Sequence, residues 1–219
     1  MSALHASGEE PLTRLRFHRY VRALDLPTQF PAIEAINFIA HVPDGRREAF
    51  VAGVRNDRSV NPAGYPRFDI RPAGRRPYYE VITWIAPADQ PNDRLGFDIA
   101  SQPFAAAALA QARDRGLIAA SGNPIRLALP TPHTALGMRE PLYAGGGVPA
   151  TLEERRARYL GSIGIAFSVD ALVRRALGPV QRQPIALSLY SEPGPARPGA
   201  ADPAPLQLAA RDRLLGGPG

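Results

Sequence analysis

The chain has 219 residues, and 45% of them are hydrophobic, enough to bury the core of one large domain or two small ones. Its net charge is +6, but all 26 basic residues are arginines spread among acids, which argues against the clustered cations of a nucleic-acid surface. No apolar stretch is long enough to cross a bilayer and residues 1–10 lack a signal-peptide layout, so the sequence taken literally describes a soluble globular protein.

The first predicted elements are a helix, a strand and a second helix. Residues 12–26 carry apolar side chains at helical spacing, and Pro27 should end that helix. Residues 36–42 alternate as a strand with one buried face. Asp44 is then placed to cap a helix that runs to Arg55.

A Pro-, Gly- and Arg-rich loop leads to the clearest strand, residues 78–86, where β-branched and aromatic residues dominate. Strict alternation would place Tyr79 and Thr83 on one face of this strand and Trp84 on the other. A shorter strand through residues 95–99 should pair with it.

A marked helix start follows this shorter strand. Ser101 is placed to cap the helix, Pro103 suits its first turn, and Gly116 ends it with a left-handed backbone. Asp98 is therefore a carboxylate at a strand end that faces a helix N-terminus. Such a group suits a polar ligand site, and it equally suits plain capping.

The second half mixes short strands and helices. Further strands are predicted at residues 118–129 (two short pieces), 136–143, 163–167, 185–189 and 206–215. Thr151 and Glu154 form a capping box, and Ser168 should cap another helix. Gly161 and Gly164 lie within strand sequence, where glycine indicates that a side chain or ligand approaches the backbone closely. Because strands and helices do not alternate regularly, the sequence predicts an α+β fold with antiparallel pairing.

Enzyme signatures are missing from the sequence. There is no Gly-x-Ser-x-Gly turn, no cysteine nucleophile and no phosphate-binding loop, and the four histidines lack the spacing of metal ligands. The sequence therefore predicts a non-enzymatic protein with no cofactor and no metal.

An ordered set of motifs resembles the CHASE domain, the extracytoplasmic sensory module of membrane-bound histidine kinases and nucleotide cyclases, including plant cytokinin receptors. The motifs are Tyr78-Tyr79-Glu80-Val81-Ile82-Thr83-Trp84-Ile85-Ala86-Pro87, Gly96-Phe97-Asp98-Ile99, Ser101, Pro103, Arg113-Asp114-Arg115-Gly116, Pro141-Leu142-Tyr143 and Thr151-Leu152-Glu153-Glu154-Arg155-Arg156. The resemblance covers residues 31–190. One departure is Gly137-Met138-Arg139-Glu140, where the family has an unbroken apolar strand; these two charges face a polar cavity or mark a shortened edge.

The resemblance implies a stalk helix (residues 1–30) followed by two PAS-like lobes with antiparallel sheets. The membrane-distal, ligand-binding lobe would span residues 31–150. The membrane-proximal lobe would span residues 151–219 and be incomplete, with a Pro/Gly-rich tail from residue 191. The alternative for residues 12–26 is a helix packed on its own domain.

The resemblance also implies a small-molecule ligand, adenine-like or another small metabolite. Asp98 matches the family position that hydrogen-bonds the ligand, and Ala120 and Ser121 match its other polar contacts. Tyr79, Thr83 and Trp84 are predicted as pocket walls from the strand alone, with ordinary core packing as the alternative.

As a CHASE-like chain, the protein is expected to be the periplasmic ectodomain of an inner-membrane receptor, excised from flanking membrane spans. The parent would be a homodimeric histidine kinase of a two-component system or a diguanylate cyclase, with no nucleic-acid partner. Two alternatives are a periplasmic interaction module without a small ligand and an unrecognised enzyme.

Overall fold

The computed structural model describes residues 12–87, 94–120, 125–127, 133–177, 189–191 and 206–208. Its α-helices are α1 (Arg14–Ala23), α2 (Leu26–Gln29), α3 (Arg47–Asn56), α4 (Pro103–Arg115), α5 (Leu152–Arg158) and α6 (Val169–Leu177). Its strands are β1 (Ile33–Pro43), β2 (Tyr78–Ala86), β3 (Ala119–Ala120), β4 (Ile125–Leu127), β5 (His133–Tyr143), β6 (Tyr159–Ser168), β7 (Leu189–Ser191) and β8 (Leu206–Leu208). Short 3-10 turns occur at Asp44–Arg46 and Ile99–Ser101.

Six strands form one antiparallel sheet in the order β2-β1-β6-β5-β3, and β4 also pairs with β5. The predicted mixture of helices with an antiparallel sheet is confirmed. β6 lies between β1 and β5, although it follows residue 150. The boundary predicted at residue 150 therefore divides strands that pair within a single sheet. β7 and β8 pair antiparallel as a separate two-stranded sheet.

Helix α1 packs on one face of the sheet, named here the α1 face. Phe17 and Val21 contact Ile36 and Phe38 of β1 in a buried apolar cluster. The helix is shorter than predicted: it ends at Ala23, and Pro27 lies inside α2. Proline is tolerated there because the first turn of a helix does not need its N–H.

The same face continues under α3, whose residues Val51 and Val54 are buried against Tyr79. Asp44 does not cap this helix as predicted. Its Oδ1 instead accepts a hydrogen bond from the Tyr79 hydroxyl (2.9 Å), and its Oδ2 accepts one from Arg75 Nη2 (2.6 Å). Asp44 therefore bonds to Tyr79 of the neighbouring strand β2 instead of to a backbone amide at the start of α3.

A β-bulge in β2 changes the faces that strict alternation predicted. Phe38 pairs with Trp84, but the next residue of β1, Ile39, pairs with Ile82, so Thr83 has no cross-strand counterpart. Tyr79 and Trp84 both lie on the α1 face as a result, and the prediction of opposite faces is wrong. An extra residue in one strand inverts the alternation beyond it.

The opposite side of the sheet, the α4 face, is covered by the Ile99–Ser101 turn and α4. Ile39 and Ile82 pack there against Ile99 and Leu109. Gly116 ends α4 with φ 69°, as predicted. The helix is also tied to the sheet, since the Tyr143 hydroxyl donates to the Arg113 carbonyl at 2.5 Å.

Candidate ligand-binding site

Asp98 lies fully buried at the outer edge of β2. The segment before it runs beside the strand, with Gly96 N donating to Ile82 O (2.8 Å) and Ile82 N to Phe97 O (3.0 Å). Asp98 Oδ1 accepts hydrogen bonds from the backbone amides of Glu80 (2.9 Å) and Ala100 (3.0 Å). The carboxylate thus caps the 3-10 turn and pins the segment to β2.

Ser101 does not cap α4, which was the prediction. The helix begins at Pro103 with no side-chain cap, and the Ser101 hydroxyl donates to the Asp98 carbonyl at 2.6 Å. The helix start is displaced because the 3-10 turn occupies the positions that the cap signal marked. Asp98 is the residue that satisfies a free amide here.

The second carboxylate oxygen of Asp98, Oδ2, forms no hydrogen bond within the described residues and lies 3.4 Å from Arg76 Nη1. Burial raises the pKa of the Asp98 carboxyl, whereas the Glu80 amide and the Arg76 charge act against that rise. One oxygen therefore has a structural role, and the other has only an ion-pair contact.

The remaining predicted site residues do not gather around Asp98. Tyr79 and Trp84 belong to the core of the α1 face. Thr83 is buried at the bulge and donates its hydroxyl to the Val81 carbonyl at 2.9 Å. Ala120 is exposed in β3, opposite Met138. Ser121 lies outside the described residues.

The centre of the α4 face carries a polar pair that the site prediction did not include. Asn37 of β1, Gly164 of β6 and Arg139 of β5 pair side by side across three neighbouring strands. Arg139 Nη1 donates to Asn37 Oδ1 at 3.0 Å. The sequence signal for this pair was the unexpected charges in residues 136–143, for which a polar cavity and a shortened edge were the two interpretations.

Gly164 makes room for this pair. A Cβ at residue 164 would collide with Arg139 Nη1 and would lie 2.8 Å from its Cζ and 3.0 Å from Asn37 Oδ1. The guanidinium therefore lies directly on the backbone of β6. The predicted close approach at Gly164 is confirmed, and the approaching group is a side chain.

A second polar cluster, formed by His41, Glu80 and Tyr159, lies towards the C-terminal end of β1. His41 Nδ1 lies 2.8 Å from Glu80 Oε1, and the Tyr159 hydroxyl lies 3.5 Å from Glu80 Oε2. Burial raises the pKa of the Glu80 carboxyl, opposed by its hydrogen bond with His41. Burial and the neighbouring Glu80 charge raise the pKa of Tyr159 well above its ordinary value.

The raised pKa of Glu80 predicts a pH-dependent stability. Between the ordinary carboxyl pKa and the higher folded value, the folded protein holds a proton that the unfolded chain releases. The free energy of unfolding should fall as the pH rises through this window. Relative to Glu80→Gln, which has no proton to lose, the wild type should lose about 1.4 kcal/mol for each unit by which the pKa is raised.

Urea unfolding at intervals between pH 4 and pH 7 measures this difference. Glu48→Gln, an exposed glutamate on α3, controls for the change in net charge. A difference between wild type and Glu80→Gln that stays constant with pH would contradict the raised pKa.

The fold brings Asn37 and Arg139 into contact on the α4 face of the sheet. The family model of the CHASE domain matches residues 10–202, and the chain belongs to this family. CHASE is an extracytoplasmic sensory domain of receptors, and the domain itself is not catalytic. No curated protein matches the chain significantly.

No helix within the described ranges has the length and apolar character needed to span a bilayer. In the same part of the chain, no three or more His, Asp or Glu side chains are arranged to hold a metal ion.

Proposed function

We propose that the chain is the ligand-binding sensor of a transmembrane receptor, and that a small molecule binds on the α4 face of the sheet, at Asn37 and Arg139. The observation that carries this proposal is the guanidinium laid over Gly164 in the middle of the sheet. A polar group in a partly buried position is costly unless it is paired. With one hydrogen bond within the described residues, the Arg139 guanidinium should contribute little to stability, so contact with a ligand is the better explanation for its position.

Two features of Asn37 and Arg139 suit a binding site. They lie on β1 and β5, the two strands that flank β6 in one sheet, so their separation is fixed before any ligand arrives. The apolar residues of the same face, Ile39 and Ile82, are buried beside them against Ile99 and Leu109, so the polar pair borders an apolar core. The site thus combines a few fixed polar groups with an apolar surround.

Asp98 remains part of the proposal as a second polar contact, through Oδ2. Its Oδ1 is occupied by two backbone amides, so a ligand donor would reach only the other oxygen. Tyr79 and Trp84 are left out of the proposed site because they pack on the opposite face.

We further propose how the signal leaves the domain. Neighbouring residues of β1 alternate between faces, with Asn37 on the α4 face and Ile36 and Phe38 against α1. A ligand that prefers one arrangement of the sheet would bias the position of α1, and through it the flanking membrane spans of a homodimer. The output would be a histidine kinase or a diguanylate cyclase.

One observation favours an alternative function, an interaction module without a small ligand. An apolar groove of about 340 Å³ on the α1 face is lined by Phe30, Ile33, Ile165, Phe167 and Leu172, among others. Phe30 is 50% exposed and Leu172 is 47% exposed, so the groove is open to a partner.

A metabolite screen by thermal shift tests the proposed function. Purines, amino acids and carboxylates are added to the purified domain, and at least one should raise Tm by several degrees when present far above its Kd. Asn37→Leu should abolish that increase. Asp98→Asn should lower Tm without ligand and should also reduce the ligand-induced increase.

Met138→Leu is the matched control, because Met138 is the neighbour of Arg139 on the opposite face and is 37% exposed. It should keep the full ligand-induced increase. An unchanged increase in Asp98→Asn would remove Asp98 from the site, and an unchanged increase in Asn37→Leu would remove the site itself. A screen without any ligand, together with self-association that Phe30→Asp abolishes, would favour the alternative.

A further inference from the structure

The Arg139 guanidinium lies beside Asn37 and Gly164 on the α4 face, and most of its N–H groups have no hydrogen bond within the described residues. An arginine carries five N–H donors. The hydrogen bond found for Arg139 in the described part of the chain is the one to Asn37 Oδ1. No carboxylate among the described residues forms an ion pair with it.

The acids and bases around Arg139 leave its charge largely uncompensated. Tyr159 and Glu80 are the acidic groups whose charges act on Arg139. The pKa of Tyr159 is raised well above its ordinary value by burial, so its hydroxyl stays protonated, and the two oxygens of Glu80 already face His41 and Tyr159. Arg94 adds a second positive charge in the vicinity. The local field on this part of the α4 face therefore favours an anion.

Arg139 keeps its own charge in this setting. Burial and the charge of Arg94 lower the pKa of Arg139 to about 10, which still leaves the guanidinium protonated at neutral pH. A partly buried cation with unused donors is a costly arrangement unless an anion completes it.

We propose that the ligand of the α4-face site carries a carboxylate, which Arg139 binds through two parallel N–H donors; this inference rests on the proposed function. Gly164 and Asn37 hold one end of the guanidinium through Nη1, whereas Nε and Nη2 have no hydrogen bond within the described residues and are left as the two donors of a bidentate contact. A single guanidinium matches the single charge and planar shape of a carboxylate. A phosphate group carries nearly twice the charge and needs a second cation, and the nearby Arg94 already has a partner of its own.

Acetate is the simplest probe of this inference, and acetamide is its uncharged counterpart of the same shape. Each is titrated into the 15N-labelled domain at constant ionic strength while the NMR signals of the Arg139 Nε–H and the Asn37 side-chain amide are followed. The Arg139 signal is assigned by its disappearance in Arg139→Lys. Acetate should shift both signals saturably, with a Kd of about millimolar size because so small a probe has little binding energy. Acetamide should bind at least tenfold more weakly.

Variants of Arg139 distinguish acetate bound by the two N–H donors of its guanidinium from acetate attracted by the net positive charge of the protein. Arg139→Met should abolish the acetate effect on the Asn37 signals, whereas Arg139→Lys should keep the charge but weaken binding about tenfold, since it lacks the paired donors. Met138→Leu should behave as the wild type. A response that does not saturate, that acetamide reproduces, or that persists in Arg139→Met would overturn the inference.

Failure of this inference is distinguishable from failure of the proposed function. If an uncharged metabolite saturates the Asn37 signals while acetate does not, the sensor function stands and the carboxylate class is wrong. If inorganic phosphate binds more tightly than acetate, the carboxylate class is again wrong. If no metabolite and neither probe binds saturably, both proposals fail.

Discussion

Gly161→Ala should destabilise the protein by about 3 kcal/mol or more. Gly161 lies in β6 with φ 135°, a backbone conformation that L side chains rarely adopt. An added Cβ would collide with the carbonyl oxygen of Ile39 on the neighbouring strand β1. That oxygen belongs to the backbone in the middle of the sheet and cannot rotate away as a flexible side chain would. Relief would require β1 and β6 to separate.

Urea unfolding of the two proteins measures this loss, with Gly53→Ala as the matched control. Gly53 lies inside α3, and a Cβ there would meet nothing within 4 Å. The control should gain about 0.5–1 kcal/mol, because alanine favours helix and restricts the unfolded chain. A loss below about 1 kcal/mol for Gly161→Ala would contradict the close pairing of β6 with β1.

Elements whose signals are local could be predicted from the sequence. The capping box of Thr151 and Glu154 is formed at the start of α5, and Ser168 Oγ accepts from the Ala171 amide at the start of α6. β2 has the predicted bounds. In these three cases a few adjacent residues fix the backbone, whereas the equally local cap signals at Asp44 and Ser101 failed because each side chain bonds elsewhere.

The centre of the proposed site could be anticipated only in part. Arg139 and Glu140 indicated that their strand borders something polar, and Gly164 indicated a close approach. The contact between Arg139 and Asn37 joins residues 102 positions apart, and it exists because β6 inserts between β1 and β5. No spacing rule within a single element reveals the order of strands in a sheet.

The position of Asp98 shows how one carboxylate fits two interpretations. Capping is established by the hydrogen bonds from the Glu80 and Ala100 amides. Ligand contact remains a proposal for Oδ2 alone. Sequence signals could not separate the two, because a strand end that faces a helix start needs an acceptor whether or not a ligand binds.

The packing of α1 bears directly on how such a domain could transmit a signal. The sequence left two alternatives for this helix, a free stalk or a helix packed on its own domain. In the structure, Phe17 is completely buried, and its ring centroid lies 5.6 Å from that of Trp84. The α4 face, which carries the proposed site, and the helix are thus separated by the thickness of one sheet, and a change in β1 would reach α1 without an intermediate element.

Phe17→Ala should therefore destabilise the domain by about 3–5 kcal/mol, the usual loss for a fully buried phenylalanine. The chain has a single tryptophan, Trp84, and it stacks on Phe38 at 4.3 Å beneath the same helix. Its fluorescence reports on this contact specifically. We expect urea unfolding followed by Trp84 emission to shift to lower denaturant, and the folded emission itself to shift to the red as water reaches the ring.

Arg19→Ala provides the control, since Arg19 is exposed on the same helix. Its effect on the free energy of unfolding should stay within about 0.5 kcal/mol, and Trp84 emission should not change. The two variants together separate a packed helix from a free stalk. If Phe17→Ala cost less than about 1 kcal/mol and left Trp84 emission unchanged, α1 would not be part of the domain core. The sheet would then have no direct mechanical connection to the helix that precedes it.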